Sequence, residues 1–242
     1  INFIKMHGLG NDFVIIDKRY KNFEITKNLI SKLSDRKSGA GCDQLIIINS
    51  NKDSNIDANI EIYNPSGDQA EACGNGTRCV AKLLFEEKNK KEINILSKAG
   101  ILKAIKKDKN NISVNLGKLS TEWKKIPIKK NIDTLNVPIK INGFSNGVVV
   151  NIGNPHIVFF GKNINEVNLK NIGPSIESNI LFPNKINVEI IEIINKKKIK
   201  MRVWERGVGI TLACGSGACA AVYAGQIKNL LDNNVEVELE LG

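Results

Sequence analysis

Several things are scarce in this 242-residue chain. Aromatic residues make up only 5% of it, which leaves few flat faces for single-stranded bases to stack on. There are two histidines, His7 and His156, and no C-x-x-C: Cys73 and Cys79 are six apart, Cys214 and Cys219 five apart. A five-residue step on a helix turns about 140°, so no structural zinc or other metal site is expected. No apolar run approaches the roughly 18 residues of a membrane span. The opening residues, INFIKMHGLGND, lack the basic, apolar, small-residue order of a secretory signal. The glycine-rich stretches GNGTRC and GSGACA carry no phosphate-loop lysine. No dinucleotide fingerprint is present, and no lysine has the context of a pyridoxal Schiff base. The expectation is a protein with no cofactor, no membrane partner and no nucleic-acid partner.

What is present is ordinary in bulk and unusual in detail. Hydrophobic residues make up 42% and charged residues 25%, as in a globular protein. The 35 Lys and Arg exceed the 25 Asp and Glu for a net charge of +10. The lysines are dispersed through KKEINILSKAGILKAIKKDKN and NKKKIKMR among many Asn and Ile residues, which describes a solvated basic surface. Such a field favours an anionic small-molecule substrate. Five cysteines, an odd number, suit a reducing, cytoplasmic compartment.

The chain is written twice. At an offset of 141, IYNPSGDQAEACGNG (62–76) lies on VWERGVGITLACGSG (203–217), so that Ala-Cys-Gly-x-Gly meets itself at Cys73 and Cys214. At an offset of 143, GLGNDFVIID (8–17) lies on NIGNPHIVFF (151–160) and QLIII from Gln44 on NVEII from Asn187. Three ordered matches at nearly constant offset argue for internal duplication. A boundary near 117 divides the chain into 1–117, carrying Cys73, and 118–242, carrying Cys214.

FIKMHG, FVIID, QLIIIN, NIEIYN, EINIL, ILKAIKK and NISVNLG are short, β-rich and separated by turn residues. GNGTRCVAKLLFEEKNK has helical period, with Val80, Leu83 and Leu84 on one face. The second half repeats the pattern, with strands FSNGVVVNIG, HIVFFG, INVEIIEII, KIKMRVWE and VEVELEL and a helix from GSGACAAVYAGQIKNLL. TKNLISKLSDR predicts an extra helix capped by Thr26. The fold class is α+β: two pseudo-symmetric domains, each a curved strand-rich layer wrapped around a central helix.

A cysteine at a strand-to-helix turn meets unpaired backbone N–H groups and the positive helix end. That setting lowers a thiol from about 8.5 to roughly 3.5–7.5, and the glycines that follow let the backbone approach a carboxylate. Two such thiols can serve one carbon from opposite faces, a thiolate removing the α-proton and a thiol delivering another. Without an electron sink the carbanion needs shelter from water, so closure on the substrate is expected. Cys42, Cys79 and Cys219 read as small core residues.

HGLGNDFVIID, GCDQL, ACGNGTRC, GNPH and ERGVGITLACGSGACA resemble diaminopimelate epimerase, over nearly the whole chain. The resemblance implies a cofactor-independent isomerase interconverting LL- and meso-2,6-diaminopimelate, in lysine and peptidoglycan synthesis. It implies two domains with the active site between them, and a homodimer. Cys73 and Cys214 match the acid/base pair, Cys214 accepting and Cys73 donating in the LL-to-meso direction. Asn11, Gln44, Asn64, Asn154, Asn187, Glu205 and Arg206 match ligand-binding positions, and the backbone at Gly74–Asn75 and Gly215–Ser216 the α-carboxylate cradle. His156 and Glu205 match positions that tune the cysteines. Family members usually run on past the last strand into a closing segment that returns to the first domain; this sequence ends at Gly242.

Other classes share part of the signature. A proline- or hydroxyproline-type racemase would share the two-thiol mechanism, with less need for the Asn and Arg set. Isomerases of similar fold replace one acid/base cysteine, whereas both are present here. A non-catalytic amino-acid-binding protein would keep the cradles without using two reactive thiols, and a basic nucleic-acid-binding module would explain the charge.

Overall fold

The computed structural model describes residues 1–21, 23–70 and 73–242. Glu71 and Ala72 of the first cysteine motif therefore lie outside the described residues. The chain forms two compact units, Ile1–Gly117 and Lys118–Gly242.

The first unit contains β1 (Ile4–Gly8), β2 (Asn11–Asp17), α1 (Lys27–Ser34), β3 (Gln44–Asn49), β4 (Ala58–Tyr63), β5 (Gln69–Ala70), α2 (Gly74–Glu87), β6 (Glu92–Ser97), β7 (Gly100–Lys106) and β8 (Ile112–Asn115). Its sheet runs β1-β2-β3-β4-β6-β7-β8, with β5 on β4. The sheet curls around α2, whose Val80, Ala81 and Leu84 are fully buried against Phe13, Ile15, Ile46, Ile60 and Ile95. Each such large side chain contributes about 1.5–3 kcal/mol. The other sheet face buries Val14, Ile16, Leu45 and Ile47 with Ile30 of α1. Strands covered on both faces read as unbroken apolar runs, which is why QLIII and FVIID do not alternate. The expected cap of α1 is present: Leu29 N–H donates to Thr26 Oγ1 at 3.2 Å.

The second unit contains β9 (Val148–Asn151), β10 (Pro155–Gly161), α3 (Leu169–Glu177), β11 (Asn187–Asn195), β12 (Lys198–Glu205), β13 (Gly209–Thr211), α4 (Gly215–Ile227) and β14 (Glu236–Glu238). Its sheet runs β13-β12-β11-β10-β9, with β14 on β12. Ala220, Ala221 and Ala224 of α4 lie fully buried against Val148, Val150, Val158 and Ile191. The opposite face packs Phe159, Val188 and Ile190 on Leu169 and Ile176 of α3.

The duplication is preserved in strand register. Parallel pairing joins Phe13 to Gln44 and His156 to Asn187. Antiparallel pairing joins Leu45 to Tyr63 and Val188 to Trp204, then Ile62 to Ala70 and Val203 to Thr211. All six pairs are related by the offsets of 141 and 143 seen in the sequence. Helix α3 is not among the segments the sequence marks as helical, and it contains Gly173 and Pro174, residues that weaken a local helical signal. Asn168 caps it, and Gly173 sits where a Cβ would lie 2.5 Å from the Trp204 ring, so the glycine permits close packing. Cys42 and Cys79 are buried as expected, whereas Cys219 is exposed on α4, on the side of the helix opposite the buried Ala220 and Ala221. Among the described residues, no helix is long and apolar enough to cross a membrane.

Candidate active site

Each cysteine motif resolves into the same local device. Cys73 is the N-cap of α2 and Cys214 the N-cap of α4, both with extended backbone (φ −148°, ψ 107° and φ −135°, ψ 107°). The Gly76 N–H donates to Cys73 Sγ and the Gly217 N–H to Cys214 Sγ, both at 3.4 Å. Gly74–Asn75 and Gly215–Ser216 open the two helices, where N–H groups have no intrahelical acceptor.

In the first unit, the Cys73 thiol faces Asn11 Oδ1 at 3.8 Å, and Asn75 Nδ2 donates to that same oxygen at 3.3 Å. Arg78, one turn along α2, bonds the Asn75 oxygen. Asn11 is aimed from behind: its Nδ2 donates to Asp43 Oδ2 at 2.9 Å. Arg36 holds both Asp43 and Asp12 at 2.7 Å, and Lys5 reaches Asp12 at the same distance. Burial pushes Asp12 up, but Arg36 and Lys5 outweigh it and hold the carboxyl well below the ordinary range. Gln44 and Asn64 form a second pair, Nε2 to Oδ1 at 3.0 Å, on β3 and at the end of β4.

In the second unit, Asn154, His156, Glu205, Ser216 and Cys214 come together. Asn154 Nδ2 donates to Ser216 Oγ at 3.4 Å, and that hydroxyl lies 3.5 Å from Cys214 Sγ. His156 is fully buried, its Nε2 3.0 Å from Asn154 Oδ1 and its Nδ1 2.7 Å from Glu189 Oε1. Thr211 donates to Glu205 from the facing strand. Asn187 donates to Pro155 O at 2.8 Å and accepts from the Arg206 N–H at 2.9 Å. The Arg206 guanidinium reaches Asn184 O at 3.3 Å. Helix α3 sets this turn: Glu177 accepts from the Trp204 indole at 2.7 Å and the Gly207 N–H at 3.0 Å, bracketing Glu205 and Arg206.

The electrostatics of Cys214 depart from the sequence expectation. Burial, then the carboxylates of Glu205 and Glu189, push its thiol well above the ordinary value, outweighing the lowering by Ser216 and the Gly217 N–H. A helix N-terminus favours thiolate only while its neighbourhood is not acidic. Burial likewise pushes Glu205 up to about 7, against the lowering by Thr211 and His156.

Sequence reasoning did not single out Glu189, Asp43, Arg78 or Thr211. Glu189 did leave a signal, as one of two acids, with Glu192, inside the otherwise apolar run NVEIIEII. Asp43 and Arg78 lie inside the motifs GCDQL and GNGTRC, and only their contacts reveal what they do.

The sequence matches the diaminopimelate epimerase family model over residues 3–122 and 148–242. It is 47% identical to the diaminopimelate epimerase of Pelagibacter ubique, over 100% of this chain and 89% of that protein. It is 45% identical to the diaminopimelate epimerase of a Wolbachia from Drosophila simulans, over 95% of this chain and 86% of that protein. Among solved structures, a hydroxyproline epimerase from Agrobacterium vitis superimposes with a TM-score of 0.66 at 12% identity, covering 95% of this chain and 78% of that one. A PhzF-family phenazine biosynthesis protein from Bacillus anthracis gives 0.63 at 19%, covering 95% and 81%. At those identities the two structures share the fold alone. On the family match and the full-length identity, the chain belongs to the diaminopimelate epimerase family.

Proposed function

We propose that this protein interconverts LL- and meso-2,6-diaminopimelate by moving protons at one α-carbon between two thiols, Cys73 and Cys214, with no cofactor. The observation that carries the reading is the pair of matched cysteine N-caps, each followed by a glycine-flanked helix start. Family membership supplies the substrate. Inversion at carbon needs a base on one face and an acid on the other, and each unit supplies one thiol.

In the LL-to-meso direction the Cys214 thiolate takes the α-proton. The C–H electron pair stays on the α-carbon, delocalised into the carboxylate. The Cys73 S–H bond then breaks and its proton forms the new C–H bond on the opposite face. The backbone N–H groups at Gly74–Asn75 and Gly215–Ser216 hold the α-carboxylate, where fixed donors stabilise charge as it builds. Asn11, Gln44, Asn64, Asn154 and Asn187 provide neutral donors and acceptors for a substrate with an amino-acid group at each end. Arg206 takes the distal carboxylate and Glu205 an ammonium.

Since Cys214 is pushed up by its surroundings, the substrate-free protein holds it as a thiol, ready for the direction in which it donates. The reverse direction requires it to lose that proton first. The ammonium on the reacting carbon is a cation that brings the thiol down. Two reduced thiols are needed throughout, which suits a cytoplasmic setting. Family resemblance supports a homodimer, which sedimentation would record as a single species of twice the chain mass.

The test is substrate choice. Reduced protein is incubated with LL-diaminopimelate, L-proline or trans-4-hydroxy-L-proline, and the stereoisomers are resolved by chiral chromatography. Meso product from diaminopimelate alone is expected. Inversion of proline or hydroxyproline instead would overturn the substrate assignment.

A further inference from the structure

Because the units are duplicates, the ground beneath each cysteine loop can be compared position by position. The offset of 143 carries Phe13 onto His156 and Ile46 onto Glu189, and the ladders agree: Phe13 pairs with Gln44 where His156 pairs with Asn187. Beneath α2, a Cβ on Gly76 would lie 2.6 Å from Ile46 Cδ1 and 3.3 Å from Phe13 Cε1. Beneath α4, a Cβ on Gly217 would lie 2.7 Å from Glu189 Oε1. The first unit fills this space with two apolar side chains. The second fills it with an imidazole and a carboxylate 2.7 Å apart, both wholly buried.

Packing does not account for the difference. Taking a carboxylate and an imidazole out of water is costly, and apolar pairs of similar volume commonly stabilise as well or better. The first unit demonstrates that solution on the same backbone. Glu189 moreover leaves its buried Oε2 without a hydrogen-bond partner among the described residues, a further cost. A charge kept at such expense beside a reactive thiol points to chemistry.

The contacts say what it does. In the first unit Asn11 is aimed by Asp43. In the second, the corresponding Asn154 faces the His156 ring, the ring faces Glu189, and Asn154 in turn reaches Ser216 beside Cys214. The groups acting on Cys214 are therefore Glu189 from β11, Glu205 from β12 with Thr211 of β13 behind it, and Ser216 of α4, while His156 of β10 reaches it through Asn154 and Ser216. We propose that Glu189 is a positioning residue for Cys214: it fixes the His156 ring, and through it Asn154 and Ser216, and places a charge beneath α4 that makes the two thiols electrostatically unequal. This deepens the two-thiol epimerase reading and rests on it.

The test uses Glu189→Gln, which keeps an acceptor for the ring and removes the charge, alongside the double variant His156→Phe/Glu189→Ile, which installs the first unit's pair. Iodoacetamide alkylation of reduced full-length protein is followed from pH 6 to 10 by peptide mass spectrometry, separately at Cys73 and Cys214. In Glu189→Gln the Cys214 midpoint is expected to fall by about half a pH unit or more, with Cys73 unmoved. The kcat for LL-diaminopimelate should fall roughly tenfold or more with KM little changed. The double variant should fold, melt within a few degrees of the parent and shift Cys214 the same way. An unmoved Cys214 midpoint in a folded variant would overturn the proposal, as would failure of both variants to fold, since the pair would then be structural. Alkylation needs no substrate, so a parent protein inert toward diaminopimelate would overturn the epimerase reading while leaving the Glu189 result legible.

Discussion

The Asn75 carboxamide donates to Asn11 Oδ1 at 3.3 Å, and the Cys73 thiol faces that same oxygen from 3.8 Å. One acceptor thus serves both the helix start and the candidate acid. Arg78 decides which end of the Asn75 amide faces Asn11, since a guanidinium can only donate and it takes the oxygen. Arg78→Met removes a hydrogen bond to a charged group, worth about 1.5–3 kcal/mol. Steady-state kinetics should show kcat/KM reduced roughly ten- to a hundredfold, with Arg78→Lys intermediate.

The cysteines act both as caps and as chemistry, and substitutions separate the two. Cys73→Ser and Cys214→Ser keep a side-chain acceptor for the Gly76 and Gly217 N–H groups, so thermal melting should change little. Each should lower epimerisation by about a thousandfold, because a hydroxyl does not replace a thiol as acid or base near neutral pH. Cys73→Ala and Cys214→Ala should be equally inactive and also less stable by about 1 kcal/mol, the usual cost of losing a cap.

Glu205 gives stability a pH dependence of known sign. Its carboxyl is raised from 4.5 to about 7 in the folded protein, so the folded state holds the proton more tightly than the unfolded chain. That contribution is fully present below pH 4.5 and is lost as pH rises through 7, to a total on the order of 3 kcal/mol. Urea midpoints should therefore decline across this window. In Glu205→Gln that part of the decline should be absent, and the variant should gain on the parent at pH 8.

The second glycine of each motif is a close-approach position. Gly76→Ala would drive a methyl into Ile46 and Gly217→Ala into the Glu189 carboxylate, at 2.6 and 2.7 Å. Overpacking of this kind costs about 1–3 kcal/mol. Both added methyls also crowd the cysteine sulfur, at 3.5 Å from Cys73 Sγ and 3.3 Å from Cys214 Sγ. Gly217→Ala should show the larger loss of kcat/KM, since it alone also displaces a buried carboxylate.

Much of this was legible in the sequence because duplication makes a pattern test itself. The offsets that align ACGNG with LACGSG also align the strand ladders, so both caps and the α+β architecture were readable without coordinates. Helix α3 carries Gly173 and Pro174, both poor helix formers: glycine there serves the Trp204 ring, a tertiary reason with no local trace. The raised thiol of Cys214 is illegible in the sequence for a similar cause. The helix end that lowers a thiol is local and visible, whereas Glu205 and Glu189 converge on it from β12 and β11. His156 was noticed, but its partner lies in a run that reads as plain buried strand.

The central claim is that two thiols, not one, handle the proton. The most direct measurement is proton NMR of LL-diaminopimelate with reduced protein in D2O, stopped at low conversion and read separately for the LL and meso pools. Two thiols predict deuterium at one α-carbon of the meso product while the remaining LL pool still carries protium, since the group that removes the proton differs from the group that returns one. Deuterium entering the LL pool as fast as meso product forms would mean a single base serving both faces, and would contradict the account.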